Sequence, residues 1–315
     1  MKISKQQLLG NLHRCLVPVL VLFRHFHTFV LVGFENLEEK MEHVVLPQAP
    51  HLTDKIVMVI GAGGMIGSEI SRQLIHYQPA RILLLGHGPQ SIYSVEYEVR
   101  KLMKKQIEII PIILNIQDKK RLFEAVERYK PDIIYHTDGQ QQIDVTEEMP
   151  LKAVYTSVFG TKNSAEAATR YHVDAFVLVS SEHAAKPLNL KEANKRLAEI
   201  IINTISTTSL TRYVIIRLPA HVFKEQLPGN FFPLFEQKTK TSYAVQHILH
   251  GGGLKTAIDK SSLFQLQGKS IYKVLQKSQG LSQLDMARLL KKLKTASEDE
   301  ARKLVISIIE QQKNF

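Results

Sequence analysis

The sequence predicts an α/β fold of the doubly wound kind, a parallel sheet with helices on both faces. Three observations lead there. Short apolar runs alternate with helical patterns from residue 55 to residue 217. The runs are apolar throughout, as parallel strands buried on both faces are. The first run breaks at Gly61 into a glycine-rich turn that carries Gly63, Gly64 and Gly67, and a helical pattern opens after it.

In chain order, strand 55–60 (KIVMVI) precedes helix 65–77, and strand 81–85 (RILLL) precedes helix 91–104. Strand 107–113 precedes helix 118–129, strand 132–136 precedes one long helix over about 146–172, and strand 174–181 precedes a helix at about 189–205. Strand 211–217 closes the series. Residues 218–280 hold scattered aromatics, a GGG at 251–253 and no clear period; 282–294 and 297–312 then read as two helices. Ser297 and Glu300 stand at capping-box spacing, and Leu304, Ile306, Ile308 and Ile309 form a stripe expected to pack. This divides the chain into an N-terminal apolar segment and linker (1–54), a dinucleotide-binding domain (55–217) and a small, mainly helical C-terminal lobe for the substrate (218–315).

The 44% of hydrophobic residues can build a real core, and the net charge of +11 favours anionic partners. No basic block with interleaved aromatics occurs, so nucleic acid is not expected. A single cysteine, Cys15, excludes an intrachain disulfide and a cysteine zinc site, and no metal set is expected. Residues 15–34 are apolar, but Pro18, Arg24, His25 and His27 interrupt them, and a central Arg alone costs about 2.5–3.5 kcal/mol on insertion. A soluble chain, or one peripheral to a membrane, is the preferred reading over a span; no small-residue cleavage pattern follows the run.

Ligands of such a sheet bind outside the carboxyl ends of its strands: Gly61–Gly67, Gly86–His87, Asn115–Ile116, Thr137–Gln142 and Ser180–His183. In the glycine turn the expected roles are a sharp exit from the strand, close backbone approach to a pyrophosphate, and tight packing of the helix. Gly61, Gly63, Gly64, Met65, Ile66 and Gly67 are therefore candidate cofactor contacts, against the alternative of an ordinary tight turn. The acid that usually closes the second strand, to hold the ribose hydroxyls of NAD, is Gly86 here, and no Arg stands there for the phosphate of NADP. The choice between NADP and NAD stays open. Lys191 and Lys195 lie four residues apart on one helix face, where mutual repulsion could make one a base; two solvated lysines are the plain alternative.

Three blocks, VIGAGGMIGSEISRQL, HTDGQQQIDVTEEMPLKAVYTSVFGTKNSAEAA and FVLVSSEHAAKPLNLKEANKRLAE, carry a family resemblance that runs from about residue 55 to 236. The sequence resembles the UDP-N-acetylglucosamine 4,6-dehydratases, the polysaccharide-biosynthesis branch of the extended short-chain dehydrogenase/reductases. That resemblance implies a bound nicotinamide cofactor (NADP or NAD) and a UDP-sugar substrate. Hydride leaves C4 of the sugar, water is lost across C5 and C6, and hydride returns to C6. It also implies that Lys195 is the active-site lysine, on the nicotinamide ribose, with Lys191 at the family's Tyr or Met position, assisting at C4. Where the family has Ser-Thr-Asp-Lys, this chain has Ser180, Ser181, Glu182 and His183, leaving a hydroxyl on Ser181, an acid in Glu182 and a base in His183. Asn115–Ile116 stand for an Asp-Ile pair near the adenine, and Thr137 joins the cofactor contacts. The family's Ala-Tyr-Lys-His run is Gly139, Gln140, Gln141 and Gln142, which puts amides Gln141 and Gln142 at the substrate, and its Gly-Asn after the sixth strand is Pro219–Ala220. Two functions follow as expectations: a dehydratase on a rewired site, or a non-catalytic nucleotide-binding relative that partners an intact dehydratase or its own copies in glycan assembly. Either would be cytoplasmic, or peripheral to the inner membrane face.

Overall fold

The computed structural model describes residues 50–103, 106–137, 143–218, 249, 265–266, 269–270, 273–274 and 281–311. The chain divides into the units Met1–Gln48 and Ala49–Phe315, and the described residues all belong to the second. Cys15, the apolar run 15–34, Gln141, Gln142, Pro219–Ala220 and the GGG at 251–253 lie outside the described residues.

Six strands form the expected parallel sheet: β1 (Ile56–Ile60), β2 (Arg81–Gly86), β3 (Glu108–Ile113), β4 (Ile133–Thr137), β5 (Ala175–Ser181) and β6 (Arg212–Leu218). Two-residue strands follow at Gln265–Leu266 (β7), Lys269–Ser270 (β8) and Lys273–Val274 (β9). The sheet runs β3-β2-β1-β4-β5-β6-β9, and β9 pairs antiparallel at the β6 edge. Val59 lies between Leu84 of β2 and Tyr135 of β4. The chain thus winds outward from β1 to β3, then returns to β4 on the other side of β1, so the strand order reverses at the β1–β4 pair. A crevice opens at that switch point, and ligands bind there.

The apolar strands explain why both faces are covered. Val57 and Val59 point to one side, Met58 and Ile60 to the other, as the two-residue period of a strand dictates. Helices α1 (Met65–Leu74) and α2 (Pro89–Leu102) cover the first side with Ile70, Leu74, Ile92 and Val99. Helix α3 (Lys119–Tyr129) covers the second with Leu122 and Val126. It starts at Asp118, whose side chain accepts from the Arg121 amide at 3.1 Å, and stops at Lys130 in the left-handed region (φ 43°).

The single helix expected over about 146–172 is instead broken. It comprises α4 (Ile143–Glu148), α5 (Pro150–Val154), a π-helical turn (Tyr155–Phe159) and α6 (Gly160–Arg170). The cause of the first break is Pro150, which has no amide to donate and pushes the residue before it out of helical backbone; Met149 sits at φ −125°, ψ 67°. Helix α7 (Leu190–Ser206) is capped by the Asn189 side chain on the Glu192 amide, 2.9 Å.

Helices α8 (Gln283–Thr295) and α9 (Glu298–Gln311) lie against α5, the π turn and α7. The capping box forms: the Ser297 amide donates to Glu300 Oε2 at 2.8 Å and the Glu300 amide to Ser297 Oγ at 3.4 Å. The stripe on α9 needs correction. Ala301, Val305 and Ile309 are its buried line, Leu304 and Ile308 pack beside them, and Ile306 is 41% exposed, because i, i+4, i+8 set the inward face and 306 falls outside it.

Candidate functional site

The glycine turn after β1 is shaped by what stands behind it. Gly61 has φ +80°, and a Cβ there would lie 2.0 Å from the Thr137 carbonyl oxygen. A Cβ on Gly67 would lie 2.2 Å from the Gly61 carbonyl oxygen, so helix α1 can sit this close to β1 only without a side chain. The Thr137 hydroxyl donates to the carbonyls of Ile60 (2.9 Å) and Gly61 (3.2 Å), tying the end of β4 to the turn. No side chain caps the N-terminus of α1, and the positive end of its dipole faces the crevice.

The loop after β3 forms the other wall. Asn115 Oδ1 accepts from the Gln117 amide (3.0 Å), Gln117 Nε2 donates to Thr156 Oγ1 (2.9 Å), and Asn163 Nδ2 donates to the Ile116 carbonyl (3.1 Å). These bonds staple the loop to the helical segment that contains the π turn.

Together these walls enclose a cleft of about 740 Å³, lined by Gly61, Gly63, Gly64, Met65, Ile66, Gly67, Asn115, Ile116, Thr137 and Lys195 among others. Every described cofactor candidate from the sequence is therefore brought to one cavity. Four further lining residues with polar side chains were not singled out from sequence: Ser91, Gln117, Lys152 and Thr156. The last two are four residues apart on one helix face, and Pro150, which starts that helix, was the available signal. The lining includes Lys152, Lys195 and His87, with no Asp or Glu among the described lining residues. Glycines where a Cβ would collide, a helix dipole and cations without acids suit a ligand with a pyrophosphate.

Of the candidates for chemistry, Lys195 alone is on that lining. Ser181, Glu182, His183 and Lys191 are not among the cleft's lining residues. Ser181 Oγ accepts from the His183 amide (3.4 Å) and caps the 3-10 turn Glu182–Ala185. The His183 side chain is 46% exposed, with Nδ1 4.0 Å from Glu192 Oε1. Beneath them lies a buried ionic hub. Glu199, fully buried, accepts from Ser180 Oγ (2.7 Å), Arg217 Nε (2.8 Å) and Nη2 (2.5 Å), and Arg196 Nη1 (3.1 Å). Among the described residues no three His, Cys, Asp or Glu side chains gather to hold a metal, and no helix is long and apolar enough to cross a membrane.

A family model described as "Polysaccharide biosynthesis protein" matches residues 57–247, more than half of the chain. The chain belongs to that family. It is 38% identical over 191 residues to the capsular polysaccharide biosynthesis protein CapD of Staphylococcus aureus, covering 60% of this chain and 31% of CapD. It is 22% identical over 167 residues to a Campylobacter jejuni UDP-N-acetylglucosamine 4,6-dehydratase (inverting), covering 52% of this chain and 48% of that one. Among solved structures, Pen from Bacillus thuringiensis is 26% identical over 60% of this chain and 56% of Pen, with a TM-score of 0.49. The chain spans just under a third of the length of CapD.

Proposed function

We propose that the chain binds a nicotinamide dinucleotide across the glycine turn and acts on a UDP-linked N-acetylhexosamine, by hydride-shuttling 4,6-dehydration at a substituted site, in surface-glycan assembly. The observation that carries this reading is the cleft, which gathers Gly61–Gly67, Asn115, Ile116, Thr137 and Lys195 around a volume typical of a cofactor site. The Campylobacter relative's name supplies the reaction and the sugar class.

When bound, the nicotinamide supplies reversible hydride transfer. The chain's own residues do the rest. Gly64 to Gly67 present the opening turn of α1 to the pyrophosphate, and Lys195 reaches the nicotinamide ribose. On the substrate side, Glu182 donates a proton to the departing C6 hydroxyl. His183, its ring half in solvent and a carboxylate beside it, takes the C5 proton, with Lys191 and the Ser181 hydroxyl assisting at the C4 oxygen. Gln141 and Gln142 hold the sugar through their amides. On this reading the protein works in the cytoplasm or on the inner face of the membrane.

The absence of Ser181, Glu182, His183 and Lys191 from the cleft lining favours one second reading, a nucleotide-binding relative that partners an intact dehydratase without turnover. Incubation with UDP-N-acetylglucosamine and either dinucleotide separates the two. The first reading expects a product lighter by one water, and a fall of about 10²–10⁴ in rate for His183→Ala. Bound dinucleotide with no mass shift would leave the partner role; unchanged turnover in His183→Ala would remove that residue as base.

A further inference from the structure

We propose that Lys152 is a specificity-determining residue, a cation that reads the 2′-phosphate on the adenosine ribose and so makes the cleft prefer NADP(H) to NAD(H). This rests on the dinucleotide reading above and says which dinucleotide. The topology fixes the end of the cleft at which Lys152 stands. The ribose of the adenosine half lies where β2 ends, at Gly86–His87–Gly88. The next strand outward is β3, and its loop is bonded through Gln117 to Thr156, one helical turn from Lys152. The opposite end of the cleft, over β5, is marked by Val179 and Lys195. Lys152 thus belongs to the adenosine end.

Its surroundings leave the charge available. Lys152 is exposed, and among the described residues no carboxylate lies within 4.0 Å of its ammonium group, whereas Lys119 and Lys162 on the neighbouring helices share Glu166. The backbone holds it there. Pro150 starts α5 two residues earlier, and the π turn begins three residues later; π turns inside helices often mark functional sites. At the β2 end, an acid that would bind free ribose hydroxyls and repel a phosphate is missing. Gly86 occupies its place, with Ile92 Cδ1 2.8 Å from where a Cβ would be. A neutral ribose finds no charged partner at this end; a phosphate dianion finds a lysine.

The test is binding, read by the fluorescence of NADPH and NADH and by calorimetry with 2′-phospho-ADP-ribose and ADP-ribose. The native protein should bind each phosphorylated ligand more tightly than its partner, with a steeper loss in salt. Lys152→Ala should weaken the phosphorylated pair about 10- to 100-fold, as expected for a lost charge-assisted bond, and leave the other pair unchanged; Lys152→Arg should retain the preference. Equal weakening of both pairs would assign Lys152 to the pyrophosphate or the base and overturn the proposal, as would tighter binding of NADH than NADPH by the native chain. If neither dinucleotide binds, the dinucleotide reading falls with it. The side chain is exposed, so the variants should melt with the native protein.

Discussion

The two ends of the sheet's carboxyl edge are built from different material. Over β1 the glycine turn is backbone, where Gly61 and Gly67 matter for the Cβ atoms they lack. Over β5 and β6 the architecture is side chain, with Ser180, Arg196 and Arg217 converging on Glu199. A backbone site tolerates drift at neighbouring positions, because its hydrogen-bond donors are present whatever the side chains are. A side-chain site does not. On the proposed reading the reactive positions beside β5 are Glu182 and His183, where the family that the sequence resembles has Asp and Lys, while the glycine turn keeps the form a pyrophosphate needs.

The largest expected effect probes the side-chain end. Glu199→Ala leaves Arg217, 7% exposed, without its carboxylate, and removing one partner of a buried pair costs about 3–5 kcal/mol. Chemical denaturation should show that loss; less than 1 kcal/mol would mean that the hub is not a structural centre. At the backbone end, Gly67→Ala forces a Cβ against the Gly61 carbonyl, which has no flexible tip to yield. A penalty of about 1–3 kcal/mol is expected from overpacking, together with loss of dinucleotide binding. Native affinity in that variant would break the contrast between the two ends.

The smallest effect lies away from both. Burial raises the Glu166 carboxyl pKa, but the ion pairs with Lys119 and Lys162 outweigh it and hold the group below its ordinary 4.5. A carboxylate with a depressed folded-state pKa contributes stability that is complete above the unfolded value and is lost as pH falls through the folded one. Glu166→Gln should therefore flatten the stability profile below about pH 4.5, by no more than about 1 kcal/mol for a pair this exposed. An unchanged acid limb would show that the pairs carry no net energy.

The sheet was legible in the sequence because β1 to β6 are continuous apolar runs, and a two-sided core leaves such runs little alternative. The glycine turn was legible because a Cβ is forbidden there. The break at Met149 could have been read from Pro150, but the apolar period on either side of it masks the stop. The π turn has no composition of its own, since it is set by how Val154, Val158 and Phe159 meet α7, α8 and α9. For the same reason nothing in the sequence singles out Lys152 and Thr156, which line a cleft in the fold. Ile306 was misplaced because hydrophobicity marks the residue and not the angle at which it leaves the helix.

Arg302 on α9 donates to the Glu147 carbonyl and carboxylate, and the same carboxylate accepts from the Leu190 amide at 2.8 Å, at the start of the helix that carries Lys191 and Lys195. This knot closes a loop of 155 residues. During synthesis, β1 to β6 can emerge and pair while Glu147 still waits for its guanidinium and the apolar side of α7 still waits for α8 and α9. The lysine helix therefore receives its last tether only after the ribosome has released residue 302, which makes completion of the site a late event in the life of each nascent chain.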